Sequence, residues 1–233
     1  MRLLLIRHGQ TPSNVRGLLD TAIPGPGLTR LGQEQARALP QALADEPIET
    51  LLASTAVRTQ LTASPLAGTT GLRIEVRDGL REISAGDLEL AADPQAHRAY
   101  MSVVFGWTAG DLGRRMPGGP DGHETFGRFD EVIAELLASG LQTAAIVSHG
   151  AMIRSWAGAR AVNLGPDYVA RNILGNTGVV VLDGDGDGGG WEALSWMGEA
   201  IGGRALQGTL ADGPAGDAVG MDGRRRRATS QPD

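Results

Sequence analysis

The chain has 233 residues, 41% of them apolar, and a formal net charge of −6: enough to bury a core, and the wrong sign for a general nucleic-acid binder, which needs positive charge to meet phosphates. It holds no cysteine, which excludes disulfides and thiolate metal sites, and all of its basic residues are arginine, so no Schiff-base or phosphate-loop lysine exists. No apolar run reaches the ~18 residues of a membrane span, and Met1-Arg2 leads straight into an aliphatic run with no room for a signal peptide, so a soluble, cytoplasmic protein is expected.

Leu3-Leu4-Leu5-Ile6 reads as a strand buried on both faces, with Arg7-His8-Gly9 at its carboxyl end, where open α/β sheets place their ligands. Thr11-Pro12-Ser13-Asn14 then supplies a cap and a first-turn proline for a helix. Pro24-Gly25-Pro26-Gly27 is a loop, and Thr29 caps a helix through about Leu43 with Leu31, Leu39 and Leu43 on one stripe. A second strand over Thr50–Ala53 precedes a helix over Val57–Leu66, where Pro65 blurs the end. Arg73–Val76 is a short strand, Leu80–Leu90 an irregular connection, and helical spacing returns over Pro94–Phe105 and Thr125–Ala138.

Thr143–Ser148 is the next strand, again ending in polar residues, and Ala151–Ala161 is helical. Gly178–Leu182 and Trp191–Trp196 form a hairpin across the glycine and aspartate run Asp183–Gly190. Alternating strands and helices indicate a three-layer α/β/α sandwich with a mostly parallel central sheet, its last strands antiparallel at one edge. From Gly198 the hydrophobic periodicity stops, so the chain divides into a domain over 1–197 and a disordered tail over 198–233 that ends in Arg224–Arg227.

Arg7-His8-Gly9 and Ser148-His149-Gly150 are strand ends of one form, each a histidine and a glycine before a helix start. Gly9 and Gly150 leave the backbone open to close approach by a ligand, and helix starts offer N–H donors to an anion. Arg58 follows the second strand at the start of its helix, and Glu82 lies in Leu80-Arg81-Glu82-Ile83. His97 reads as an exposed helix residue, while His123 and Arg114-Arg115 are candidates for a lid.

These residues resemble the histidine phosphatase superfamily, the phosphoglycerate-mutase-like proteins. The likeness rests on Arg7-His8-Gly9 with Gln10, Thr11 and Asn14 following, on Arg58, on Glu82 and on Ser148-His149-Gly150, in correct order from Met1 to about Trp196. It implies that fold, His8 as a nucleophile that becomes phosphohistidine, and Arg7, Arg58 and His149 around the phosphoryl oxygens. It further implies Glu82 as proton donor, with Gln10, Thr11, Asn14 and the N–H of Gly150 as substrate contacts. No cofactor and no metal is implied; the partner is a small-molecule phosphomonoester, with no nucleic acid and no membrane, and a homodimer is left open.

Two segments depart from the family pattern. Gly86-Asp87-Leu88-Glu89-Leu90 stands where Gly-x-Trp-Glu-Gly is frequent, and Gly118–Thr125 stretches the usual Gly-Glu-Ser. The cofactor-dependent mutases carry a tryptophan beside the first motif and a long insertion rich in lysine and tyrosine. This chain has Pro12-Ser13 before Asn14, no lysine, and only Tyr100 and Tyr168. The balance favours a phosphomonoesterase over a cofactor-dependent phosphoglycerate mutase, with a non-catalytic phospholigand-binding protein as the reading from another class.

Overall fold

A computed structural model describes residues 1–184 and 190–208. Six strands form one sheet: β1 (Arg2–Arg7), β2 (Thr50–Ser54), β3 (Ile74–Arg77), β4 (Thr143–Ser148), β5 (Val179–Gly184) and β6 (Trp191–Met197). Their order is β3-β2-β4-β1-β5-β6, parallel from β3 to β1, with β5 antiparallel to both of its neighbours. β1 therefore lies inside the sheet, and its aliphatic run is buried on both faces. Leu3 and Leu5 pack with Tyr100, Trp107, Phe129 and Trp156, while Leu4 and Ile6 pack with Leu39, Leu43, Ala63 and Leu66.

The helices supply those two outer layers. On one side lie α2 (Arg30–Ala42) and α3 (Val57–Thr70); on the other lie α4 (Pro94–Thr108), α5 (Gly122–Ala138) and α6 (Gly150–Arg160). Two short helices complete the set, α1 (Pro12–Arg16), capped by Thr11, and α7 (Pro166–Arg171). The expected three-layer sandwich is thus observed, mostly parallel with an antiparallel edge. Among the described residues no helix is long and apolar enough to cross a membrane.

The differences from the sequence reading have local causes. α3 continues past Pro65 to Thr70: the lost N–H bond and the ring's crowding of the preceding turn are offset by Ala63 and Leu66, which stay buried on the sheet. α7 went unread because six residues are too few for a periodic pattern, although Pro166 and Asp167 mark its first turn. His97 is not exposed: it is buried, and its Nε2 lies 2.8 Å from the carbonyl of Gly17, which ties α4 to the end of α1.

The boundary expected at 197 falls within packed chain. Ala200 and Ile201 are buried, Ile201 in the cluster beneath α2 and α3, and Gln35 Nε2 donates to the carbonyl of Leu206 at 2.9 Å. Most of the expected tail, 209–233 with Arg224–Arg227, and part of the glycine and aspartate run, 185–189, lie outside the described residues.

Candidate active site

The carboxyl ends of β1, β4 and β2 lie side by side, Arg7 in register with Ser148 and Ala53 with Val147. The residues that follow them, His8, His149 and the last residue of β2, Ser54, must meet at one edge of the sheet. His8 and His149 pack edge to face with ring centroids 5.3 Å apart. A small cavity of about 30 Å³ is lined by Arg7, His8, Asn14, Arg58 and Glu82, with Asp20 and Tyr100 in its wall. Six of the nine residues singled out by sequence are thereby gathered: five line the cavity and His149 backs it.

His8 Nδ1 lies 2.8 Å from the carbonyl oxygen of Gly9. A carbonyl can only accept, so Nδ1 carries the proton and Nε2 keeps the lone pair. Burial, aided by Arg58 and then Arg7, holds the ring well below the usual histidine range, so it is neutral at pH 7. His149 is lowered well below that range too, by burial and then Arg58. Its Nε2 lies 2.7 Å from Ser54 Oγ, whereas its Nδ1 is buried with no partner.

Arg7 donates from Nη1 to the carbonyl of Leu174 at 2.6 Å. Arg58 donates to the carbonyl of Asp20 only at 3.4 Å, and its Nη1 is buried without any partner. A buried guanidinium with an unused donor costs free energy until an anion arrives. Gly25, with φ +67°, crosses directly over that nitrogen: a Cβ there would stand within 2.4 Å of it.

Glu82 sits against the first turn of α6. Its Oε1 accepts from the N–H groups of Ile83 (2.9 Å) and Met152 (2.8 Å), and Oε2 from that of Ala151 (3.2 Å). These bonds favour the carboxylate, yet burial outweighs them and the pKa is raised above the ordinary carboxylate value. Arg128 of α5 holds the turn that presents Glu82, donating to the carbonyls of Gly79 (2.6 Å) and Glu82 (2.9 Å).

Gln10 and Thr11 are used elsewhere. Gln10 Oε1 accepts from Thr29 Oγ1 and its N–H donates to Gln35, so it fastens β1 to α2; Thr11 and Asn14 form the capping box of α1. Gly150 is the first residue of α6, beside the N–H groups committed to Glu82. The missing side chain at Gly9 serves packing: a Cβ there would lie 2.6 Å from the carbonyl oxygen of Gly32, so it is α2, not a ligand, that makes the close approach. Arg115 pairs with Asp121 and Glu124 at the start of α5, and Arg114 donates to Ser102, so both are anchored to helices.

Sequence reasoning missed Ser54, Arg128 and Asn176. Asn176 Nδ2 donates to the carbonyl of His8 at 3.0 Å and so fixes the His8 loop from the β5 side. Ser54 had a usable signal, since it closes β2 as Ser148 closes β4. The other two had none. Among the described residues no group of histidines and carboxylates is arranged to hold a metal ion.

Comparison with known proteins matches residues 3–197 to the family described as the histidine phosphatase superfamily, branch 1. The chain belongs to that superfamily. It is 36% identical over 218 residues to PE-PGRS family protein PE_PGRS11 of Mycobacterium tuberculosis, covering 86% of this chain and 37% of that protein, so it spans well under half of that relative. It is 28% identical over 209 residues to the glucosyl-3-phosphoglycerate phosphatase of the same organism, covering 84% and 91%. The native structure of the mycobacterial glucosyl-3-phosphoglycerate phosphatase superposes with a TM-score of 0.71 at 26% identity, covering 84% of this chain and 98% of that one. The fold is that of this superfamily.

Proposed function

We propose that the protein is a phosphomonoesterase that hydrolyses its substrate through a phosphohistidine on His8. The observation that carries this is the pairing of a histidine whose Nδ1 is locked on Gly9 with a buried, unpartnered Arg58 Nη1 in the same cavity. A neutral Nε2 lone pair in a cavity shared with an unused cationic donor suits a nucleophile facing a phosphoryl group. The curated relatives named as phosphatases support the reading, as does a mycobacterial relative's structure in complex with inorganic phosphate.

In the first step Nε2 attacks phosphorus and the bond from phosphorus to the ester oxygen breaks. Glu82, whose protonated form burial favours, passes its proton to the departing alkoxide. The N–H groups of Ile83, Ala151 and Met152 then stabilise the resulting carboxylate. In the second step that carboxylate takes a proton from water as the oxygen attacks phosphorus, and the bond from phosphorus to nitrogen breaks to release inorganic phosphate. Arg7 and Arg58 hold the phosphoryl oxygens throughout, and Asn14 lines the same cavity. His149 offers Nδ1 with its ring fixed by Ser54, while Gln10, Thr11 and Gly150 support the loop and helix starts.

Steady release of phosphate from 4-nitrophenyl phosphate, with label trapped on the native chain but not on His8→Ala, is the expected result. Interconversion of 3- and 2-phosphoglycerate with little phosphate release would establish the mutase reading instead, and binding of phosphate without turnover the non-catalytic one.

A further inference from the structure

Glu82 belongs to no helix or strand: over residues 81–85 the chain has no regular structure, so no backbone ladder holds the carboxyl group in place. Side chains do so instead. Four carbonyls of the segment 79–83 accept from side chains of three other elements. Those of Gly79 (2.6 Å) and Glu82 (2.9 Å) accept from Arg128 of α5, that of Leu80 (2.8 Å) from Ser148 Oγ of β4, and that of Ile83 (2.9 Å) from the hydroxyl of Tyr100 of α4. The backbone of α5 closes in as well, since a Cβ at Gly79 would collide with the carbonyl of Arg128.

Two of these donors bear on the carboxyl group itself. The amide joining Glu82 to Ile83 is planar, so Arg128, by fixing its oxygen, also fixes the direction of its N–H. That N–H is the one that donates to Glu82 Oε1 at 2.9 Å. A cationic donor on the oxygen also polarises the amide and strengthens what its N–H gives. Tyr100 fixes the next amide by its carbonyl, so both peptide planes of Ile83 are set. Burial, and then Glu82, hold the Tyr100 phenol well above its ordinary range, so it remains a donor, and its side chain lines the phosphate cavity beside Glu82. Burial and then Arg81 lower Arg128 only to about 10, so it keeps its charge at neutral pH.

We infer that Tyr100 and Arg128 are positioning residues, which hold the turn through Glu82 and Ile83 so that the Glu82 carboxyl faces the leaving oxygen of the ester. Each acts through Glu82 and not on the phosphoryl group. This rests on the phosphomonoesterase reading above and adds to it how the proton is aimed.

The test compares kcat/KM on phenyl phosphate and 4-nitrophenyl phosphate, which present the same phosphoryl group but differ in how far the leaving oxygen needs a proton. Tyr100→Phe keeps the ring in the core and removes only the hydroxyl. It should lower kcat/KM roughly tenfold or more on phenyl phosphate and about threefold or less on 4-nitrophenyl phosphate. Arg128→Gln should produce the same imbalance, and Arg128→Lys, which keeps the charge but not the fork, should restore part of the loss. Added to Glu82→Gln, Tyr100→Phe should leave the ratio between the two esters unchanged, because no carboxyl proton remains to be aimed. A Tyr100→Phe variant that loses stability in urea while its ester ratio stays that of the native chain has a structural role only, and the inference falls. Equal losses on both esters, or a ratio that still shifts in the Glu82→Gln background, overturn it too. Turnover by the native chain separates the two levels: with turnover present and the ratio unmoved, the positioning role alone fails, whereas no turnover on either ester sinks the phosphomonoesterase reading and this inference with it.

Discussion

Two residues set the pH behaviour of the proposed reaction. His8 must be neutral to attack, and its pKa is pushed well below 6.5, so the acidic limb of kcat/KM should lie well below pH 6.5. Glu82 must be protonated, and its raised pKa should place the alkaline limb above the ordinary carboxylate value of 4.5. Glu82→Gln should remove the alkaline limb and lower kcat by roughly 10²- to 10⁴-fold on an alkyl ester. The loss should be smaller on 4-nitrophenyl phosphate, whose leaving group needs less protonation; equal losses on both would assign Glu82 another role. Ser54→Ala removes the bond that orients His149. The expected cost is about tenfold in kcat/KM, the equivalent of ~1.4 kcal/mol for one buried hydrogen bond.

Among the elements, the contact of the His8 loop with α2 has no slack. Gly9 and Gly32 face each other backbone to backbone: a Cβ at Gly9 would lie 2.6 Å from Gly32 O, and one at Gly32 2.2 Å from Gln10 O. Neither clash is with the tip of a flexible side chain, so Gly9→Ala must move the strand end or the helix. A loss of about 1–3 kcal/mol in urea unfolding is expected from such overpacking, together with a fall in turnover, because the displaced loop carries His8. Unchanged stability would mean that α2 is free to retreat. The glycine in Arg7-His8-Gly9 was visible in sequence, but its reason was not. A missing side chain looks the same whether a ligand or a neighbouring helix occupies the space.

For the whole molecule, two buried histidines link stability to pH. Unfolded, His8 and His149 titrate near 6.5; folded, both are held well below it. The unfolded chain therefore binds more protons, and stability should fall as pH drops through 6.5, by up to ~1.4 kcal/mol per pH unit for each histidine. Glu82 acts in the opposite sense: its raised pKa favours the folded state most at or below 4.5, and that contribution is lost as pH rises through the folded value. Two histidines against one carboxyl leave a net loss on acidification. The urea midpoint should be lower at pH 5.5 than at pH 7.5, and His149→Gln should shrink the difference; an unaltered difference would show that other groups carry it. A chain ending at 197 should be less stable than one ending at 208 by about 1.5–3 kcal/mol, the value of a buried isoleucine, since Ile201 would be lost.

The sequence by itself determined the layering and where the candidate site residues would gather. A four-residue aliphatic run demands burial on both faces, and a polar triplet at its end must then emerge at the sheet's edge. His8, Arg58, Glu82 and His149 were legible because each ends a strand or opens a helix or turn in a recognisable setting. Only the tertiary structure decided which atoms are spoken for: Gln10 by α2, the first N–H groups of α6 by Glu82, Arg128 by the carbonyls of Gly79 and Glu82. It also showed that residues just past 197 belong to the core. Hydrogen bonds and close contacts between residues tens to more than a hundred positions apart leave no periodic trace in the chain. They exist only once the sheet has brought its strand ends together.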